Sequence, residues 1–263
     1  MRQDWDDEDR LCRIREGKRV PERYVILTGD PKQCEITARY LDDAWLETNG
    51  REFPMYTGYI EGEPVCVGAV AGMDRMDGES VGAGSSIGAV AALEWLAKRG
   101  ADTFVWVGTC QGMELEVKSS DIVIANGAVR MRGPAEKGAP VEFPAVAGYA
   151  VVNALAEAAE SSGQVYHVGV VRGKPEAEGG EDLREEWLKL GCMAVEPESA
   201  PLFIAGSYLR VRVGSLFLVT SNRARERCGL INPVVYNKEA AAQIAVEGLR
   251  VLIRQDRKGR RLV

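Results

Sequence analysis

Val195-Glu196-Pro197-Glu198-Ser199-Ala200-Pro201-Leu202 decides how the chain is read. The preceding Cys192-Met193-Ala194-Val195 leans apolar and runs into two carboxylates one residue apart. Ser199 and Pro201 then open a helix predicted over 200–208, because proline in a first turn sacrifices no helical donor. Glu196 and Glu198 therefore sit at a strand-to-helix junction. Alternate residues of extended backbone face the same way, so both carboxylates are expected to point into one pocket. A carboxylate there can accept two hydroxyl hydrogens at once, which suits a sugar diol. Acidic residues also favour a helix N-terminus for electrostatic reasons alone, so the pair by itself leaves both readings open.

Outward from this joint, strands and helices alternate to both ends of the chain. Upstream, Tyr24-Val25-Ile26-Leu27-Thr28 reads as a buried strand. Gly29-Asp30-Pro31 follows, and a helix is predicted over 32–45 with its free N–H groups aimed past the strand end, a ready anion site. Residues 53–60 and 64–70 read as a hairpin about Glu61-Gly62, and 71–80 as a surface loop. Gly82-Ala83-Gly84 opens a helix with Ile87, Val90, Ala91 and Leu96 on one face, closed by Gly100. That Gly-x-Gly lacks the rest of a dinucleotide fingerprint. Residues 103–107 read as a strand ending in the glycine-punctuated loop Gly108-Thr109-Cys110-Gln111-Gly112. Further strands are predicted at 121–125, 165–171 and 211–220. Helices are predicted at 147–161 and 181–190, the latter with Leu183, Trp187 and Leu190 as its apolar face. A charged loop runs from Arg223 to Gly229, and a last helix is capped by Asn237 and striped by Ala241, Ile244, Ala245 and Leu252. His167, the single histidine, lies in a β-run and reads as structural. The pattern predicts one α/β/α domain around a mixed sheet over 23–254, with a charged arm at 1–22 and a frayed basic tail at 255–263. Three strand ends converge, at 29–33, 108–112 and 195–199.

Composition narrows the partners. The chain has 263 residues, 46% of them hydrophobic, and a net charge of -6. That charge argues against a general nucleic-acid binder. The six cysteines are scattered without CxxC or Cys/His ligand spacing, so neither a metal site nor a redox dithiol is indicated. The charged N-terminus carries no apolar signal region, and no apolar run reaches membrane-spanning length. A soluble, cytoplasmic protein with no membrane partner is expected.

Six motifs in register resemble the nucleoside phosphorylase superfamily, its uridine phosphorylase branch in particular. They are Thr28-Gly29-Asp30-Pro31, Gly50-Arg51-Glu52-Phe53, Val107-Gly108-Thr109, Glu142-Phe143-Pro144-Ala145-Val146-Ala147, His167-Val168-Gly169-Val170 and Glu196-Pro197-Glu198-Ser199-Ala200. The resemblance runs from about residue 24 to 253 and implies an α/β/α fold with a central mixed, barrel-like sheet. It implies cleavage or formation of the bond between nucleobase and ribose. It also implies a homodimer or a hexamer built as a trimer of dimers. No cofactor or metal is implied; phosphate would enter as co-substrate. By position, Glu198 resembles the glutamate that binds the ribose hydroxyls, with Glu196 and Pro197 beside it. Gly29, Gln33, Arg51, Trp106 and Thr109 fall at the phosphate or nucleophile pocket, Arg51 being supplied across a dimer interface. Gly112, Glu181, Asn222 and Arg223 fall at the base pocket, and Arg223 joins Glu198 as a catalytic candidate.

The departures are equally specific. Gln33 and Trp106 stand where the family carries two of its three phosphate arginines, and arginine's bidentate grip is hard to substitute. The loop Ala177–Leu183 lacks the aromatic residue and the Gln-x-Arg pair that read uracil in the uridine branch. Three functions follow as expectations: pentosyl transfer on a nucleoside, hydrolysis by water, or nucleoside binding by an inactive or structural homologue. The lost arginines predict weak phosphate binding, with Trp106 filling that space.

Overall fold

The computed structural model describes residues 23–48, 54–70, 86–130, 139–173, 182–233 and 237–259. In chain order the elements are β1 (Tyr24–Thr28), α1 (Pro31–Ala38), β2 (Asp42–Thr48), β3 (Met55–Ile60), β4 (Glu63–Ala69), α2 (Ser86–Ala97), β5 (Thr103–Gly112) and β6 (Ile122–Val129). They continue with β7 (Ala145–Val146), α3 (Tyr149–Ser162), β8 (Tyr166–Arg172), α4 (Asp182–Lys189), β9 (Ala194–Val195), α5 (Ser199–Leu209), β10 (Arg212–Asn222), α6 (Arg223–Arg227) and α7 (Lys238–Arg257).

β5 is the hub. Its first half pairs in parallel with β1, Tyr24 opposite Thr103 through Thr28 opposite Val107. Its end, Gln111–Gly112, pairs antiparallel with β9 on that same side. β10 runs parallel along its other side from Thr103 to Gly112. β10 then pairs β6, β6 pairs β8, and β8 pairs β9, which closes a barrel of mixed direction. Beyond β1 the sheet continues as a wing through β4, β3 and β2. The expected single-domain α/β fold with a mixed, barrel-like sheet is therefore present.

The helices cover both faces. α2 and α5 pack on one face with Phe104, Trp106 and Phe217. α1, α3 and α7 pack on the other with Ile26, Val105, Val107 and Leu216. Close contact of α3 with β10 needs a residue without a side chain at Gly214, where a Cβ would meet Val151 Cγ1 at 2.4 Å. β1 is buried at every position, as a continuous apolar run with neighbours on both faces should be.

Several boundaries differ from the sequence reading, each for a tertiary reason. The first helix stops at Ala38, because residues 42–48 pair with β3 as an edge strand. The glycine-rich 108–112 is strand, not loop, held by β9 and β10. α2 is apolar on nearly every side, so periodicity could not select its buried face. That face is Ala89, Ala92, Leu93 and Leu96, and Ile87 is exposed. On α4, Trp187 is half-buried but Leu190 is exposed. Residues 223–227 form a short helix, capped by Asn222. The basic tail stays helical to Arg257, where Arg254 and Arg257 reach Glu61 and Glu63 of the hairpin at 2.6 and 3.0 Å. His167 is structural as expected, its Nε2 lying 2.9 Å from Asp121 Oδ2. The loop expected at 71–80 and the arm at 1–22 lie outside the described residues. Among the described residues no helix is long and apolar enough to cross a membrane.

Candidate active site

The carboxyl end of β1 and residues 106–109 in the middle of β5 open beside the start of α5. A cavity of about 700 Å³ lies there. Its wall holds Gly29, Asp30 and Gln33 from the first joint, Trp106, Gly108 and Thr109 from β5, Pro197 and Glu198 from the third, and Lys238 from α7. All three strand ends singled out in the sequence thus contribute.

The two glutamates part company. Glu196, 2% exposed, turns back onto the helix. Its Oε2 accepts the N–H groups of Glu198 and Ser199 at 2.8 and 2.9 Å. It thereby satisfies donors that the first turn of a helix leaves free. Its Oε1 is buried without a partner, and the residue is not on the cavity wall. Glu198 is on the wall, 8% exposed, and makes no side-chain cap bond. Strict alternation fails here because α5 begins at Ser199, so Glu198 already has helical backbone. Burial pushes the Glu196 carboxyl up to about 7, against the pull of the two backbone donors. Burial and then the charge of Glu196 hold Glu198 well above the usual carboxylate range. No cation among the described residues offsets either. Glu196 Oε1 is left without a donor and no cation offsets Glu198, so hydroxyl groups of a ligand can supply further donors.

Gly29, Gln33, Trp106 and Thr109, which the resemblance assigns to a phosphate or nucleophile pocket, also line the cavity. Gln33 offers little to an anion. Its amide nitrogen donates to Lys238 O at 3.1 Å and to Thr37 Oγ1 at 3.4 Å. The start of α1 is not a free anion site either. Asp30 Oδ1 accepts the N–H of Lys32 at 2.9 Å, so the helix caps itself with a carboxylate. Burial works against the Asp30 charge, but the bonds from Lys238 and the backbone prevail and hold it below its ordinary value. Trp106 is 2% exposed, and its indole nitrogen has no partner. Gly108 makes room for it: a Cβ there would lie 2.9 Å from Trp106 Nε1 and 3.0 Å from Phe217 Cε1.

Lys238 was not singled out from the sequence. Its ammonium pairs with Asp30 Oδ2. Asn237 as a helix cap places Lys238 in the first turn of α7, but no sequence signal says that this turn meets α1, 205 residues away.

Of the residues assigned to the base, the described ones, Gly112, Asn222 and Arg223, are not on the cavity wall. Asn222 is fully buried and donates to Glu114 O and Val117 O, both at 2.7 Å, while accepting from Ala224 and Arg225 N–H. Its amide is spent on the joint between β10 and α6. A Cβ on Gly112 would touch that amide at 2.8 Å, so this glycine serves packing. Arg223 is exposed and absent from the wall. Arg51 and Glu181 lie outside the described residues.

Residues 23–251 match the family model of the phosphorylase superfamily. A uridine phosphorylase of Treponema pallidum is 36% identical over 245 residues, covering 89% of this chain and 90% of that protein. A uridine phosphorylase of Thermococcus kodakarensis is 30% identical, covering 91% and 85%. A guanosine phosphorylase of Halorubrum lacusprofundi is 27% identical, covering 75% and 78%.

Proposed function

The chain belongs to the phosphorylase superfamily, in its uridine-phosphorylase-like branch, and from that premise we propose that it cleaves the bond between nucleobase and ribose in a nucleoside. The general chemistry of the family is pentosyl transfer. Here Glu198 would hold the ribose diol, because a carboxylate accepts two hydroxyl hydrogens and this one is buried on the wall without a cation. The transition state carries positive charge on the ribosyl group. Hydroxyls donated by the sugar favour the ionised form of Glu198 that burial alone disfavours, and a carboxylate so fixed stabilises that charge more than it stabilises the neutral sugar, which is the requirement for catalysis. Glu196 positions Glu198 through its backbone N–H. The acceptor would approach from the side of Gly29 and Thr109.

The observation that carries this reading is the buried Glu198 carboxyl, with no cation beside it, on a cavity framed by the carboxyl end of β1 and residues 106–109 of β5. Free-base release from a panel of purine and pyrimidine nucleosides tests it, with Glu198→Gln as the control. A second reading, hydrolysis, has its own support. Both amide hydrogens of Gln33 are turned inward and an indole stands at the other arginine position. Free ribose rather than a ribose phosphate as the sugar product would select it.

A further inference from the structure

Two buried carboxyls meet where β9 runs into α5. Glu196 and Glu198 are 2% and 8% exposed, and among the described residues no cation offsets either. They are tied together, because the Glu198 N–H donates to Glu196 Oε2 at 2.8 Å. Two negative charges in one buried place are poorly screened, so such a pair keeps a proton where two separate carboxylates would hold none. The oxygens of Glu196 differ. Oε2 accepts the N–H groups of Glu198 and Ser199, whereas Oε1 is buried with no partner. A proton on Oε1 breaks neither bond, since Oε2 goes on accepting as the carbonyl oxygen of the acid. The titratable group that faces Glu196 from β5 is the Cys110 thiol, which burial and then the Glu196 charge push up, so it stays neutral. Asp30 and Lys238, also on the cavity wall, pair with each other. In the unliganded protein the two backbone donors favour the charge on Glu196, and the proton rests on Glu198. Sugar hydroxyls reverse that order, because they donate to Glu198 and favour its ionised form.

We infer that Glu196 is the positioning residue that takes up the proton of Glu198 when a ribose diol binds. The O–H bond of the Glu198 carboxyl breaks and an O–H bond forms at Glu196 Oε1. The pair holds one proton and one negative charge before and after, and the charge moves to the cavity wall without a proton leaving the protein. The inference rests on the reading of Glu198 as the ribose ligand.

Infrared difference spectra in the window of the protonated carboxyl C=O stretch provide the test, at a pH one unit above the Glu196 value of about 7. The probes are pseudouridine and formycin, whose carbon–carbon glycosidic bonds are not cleaved, and D-ribose. The unliganded protein should show an acid band that Glu198→Gln removes. On saturation that band should keep its intensity and change its frequency in the wild type, whereas any acid band of Glu196→Gln should be lost. Calorimetry in two buffers of different ionisation heat should find no proton released by the wild type at this pH. Below about 7 Glu196 already carries a proton, so binding must expel one and affinity should fall by up to about tenfold per pH unit. A purely structural Glu196 would move none of these readings. A probe that binds with the band unmoved, or with its proton lost to the buffer, overturns the inference and leaves Glu198 as the sugar ligand. An unliganded protein without the acid band overturns it as well. If none of the three probes binds, the sugar site fails and the inference falls with it.

Discussion

At the scale of single residues, the site turns on a carboxyl that has been taken out of water and given no cation. Replacing Glu198 with glutamine keeps its shape and removes the charge. Loss of a charged hydrogen bond to a sugar hydroxyl should weaken nucleoside binding by about 1.5–3 kcal/mol, measured by calorimetry. Unchanged affinity would remove Glu198 from the sugar site. Glu196 makes a separate prediction through pH. Its carboxyl is raised to about 7 in the fold, by burial, whereas an unfolded glutamate titrates near about 4.3. The folded state therefore holds the proton more tightly. The stability this confers is complete below the unfolded value and is lost as pH rises through about 7. Thermal melts of the unliganded protein should show wild type losing ground to Glu196→Gln between pH 5 and 8; parallel curves would contradict this. Much of the wall was legible from the sequence, since Gly29, Gln33, Trp106, Thr109 and Glu198 all sit at or beside the joints that alternating strands and helices predict. Lys238 was not, because it arrives from a distant helix. Asn222 was misread because polar side chains that cap a helix and those that read a ligand look alike in a sequence.

At the scale of elements, α5 depends on an acid outside it. Glu196 supplies the acceptor that a capping residue would normally provide. Glu196→Ala should cost about 0.5–2 kcal/mol in denaturant unfolding, as loss of a helix cap does, whereas Glu196→Gln retains an acceptor oxygen and should cost less. Equal losses would mean that the bonds to Glu198 and Ser199 contribute little. The crossing of α3 on β10 is equally exposed to test. Gly214→Ala drives a methyl into Val151 and should destabilise by about 1–3 kcal/mol, since packed interiors yield little. Elements inside the sheet were the readable ones. β1 and the start of β5 announce themselves as unbroken apolar runs. β2 did not, because its pairing with β3 sets its conformation and local propensity is a weak guide at an edge. The glycines of 108–112 suggested a loop. Their actual reasons, Trp106 above Gly108 and Asn222 against Gly112, exist only after the barrel has closed.

At the scale of the whole molecule, one long strand with three partners joins a closed barrel to an open wing and turns its middle, residues 106–109, to the cavity. Arg51, the third arginine of the family's anion site, is expected to come from a second copy, so the protein should be at least a dimer. Tyr149 and Tyr208, 67% and 60% exposed, are large apolar surfaces for an isolated chain to leave in water. Light scattering showing a stable monomer at working concentration would refute the assembly. Nucleoside cleavage itself is tested most directly by following free-base release from purine and pyrimidine nucleosides, wild type beside Glu198→Gln. Release by the wild type, severely reduced in the variant, is expected. Intact nucleosides across the whole panel, with no nucleoside bound in calorimetry, would contradict a ribosyl-transfer site at Glu198.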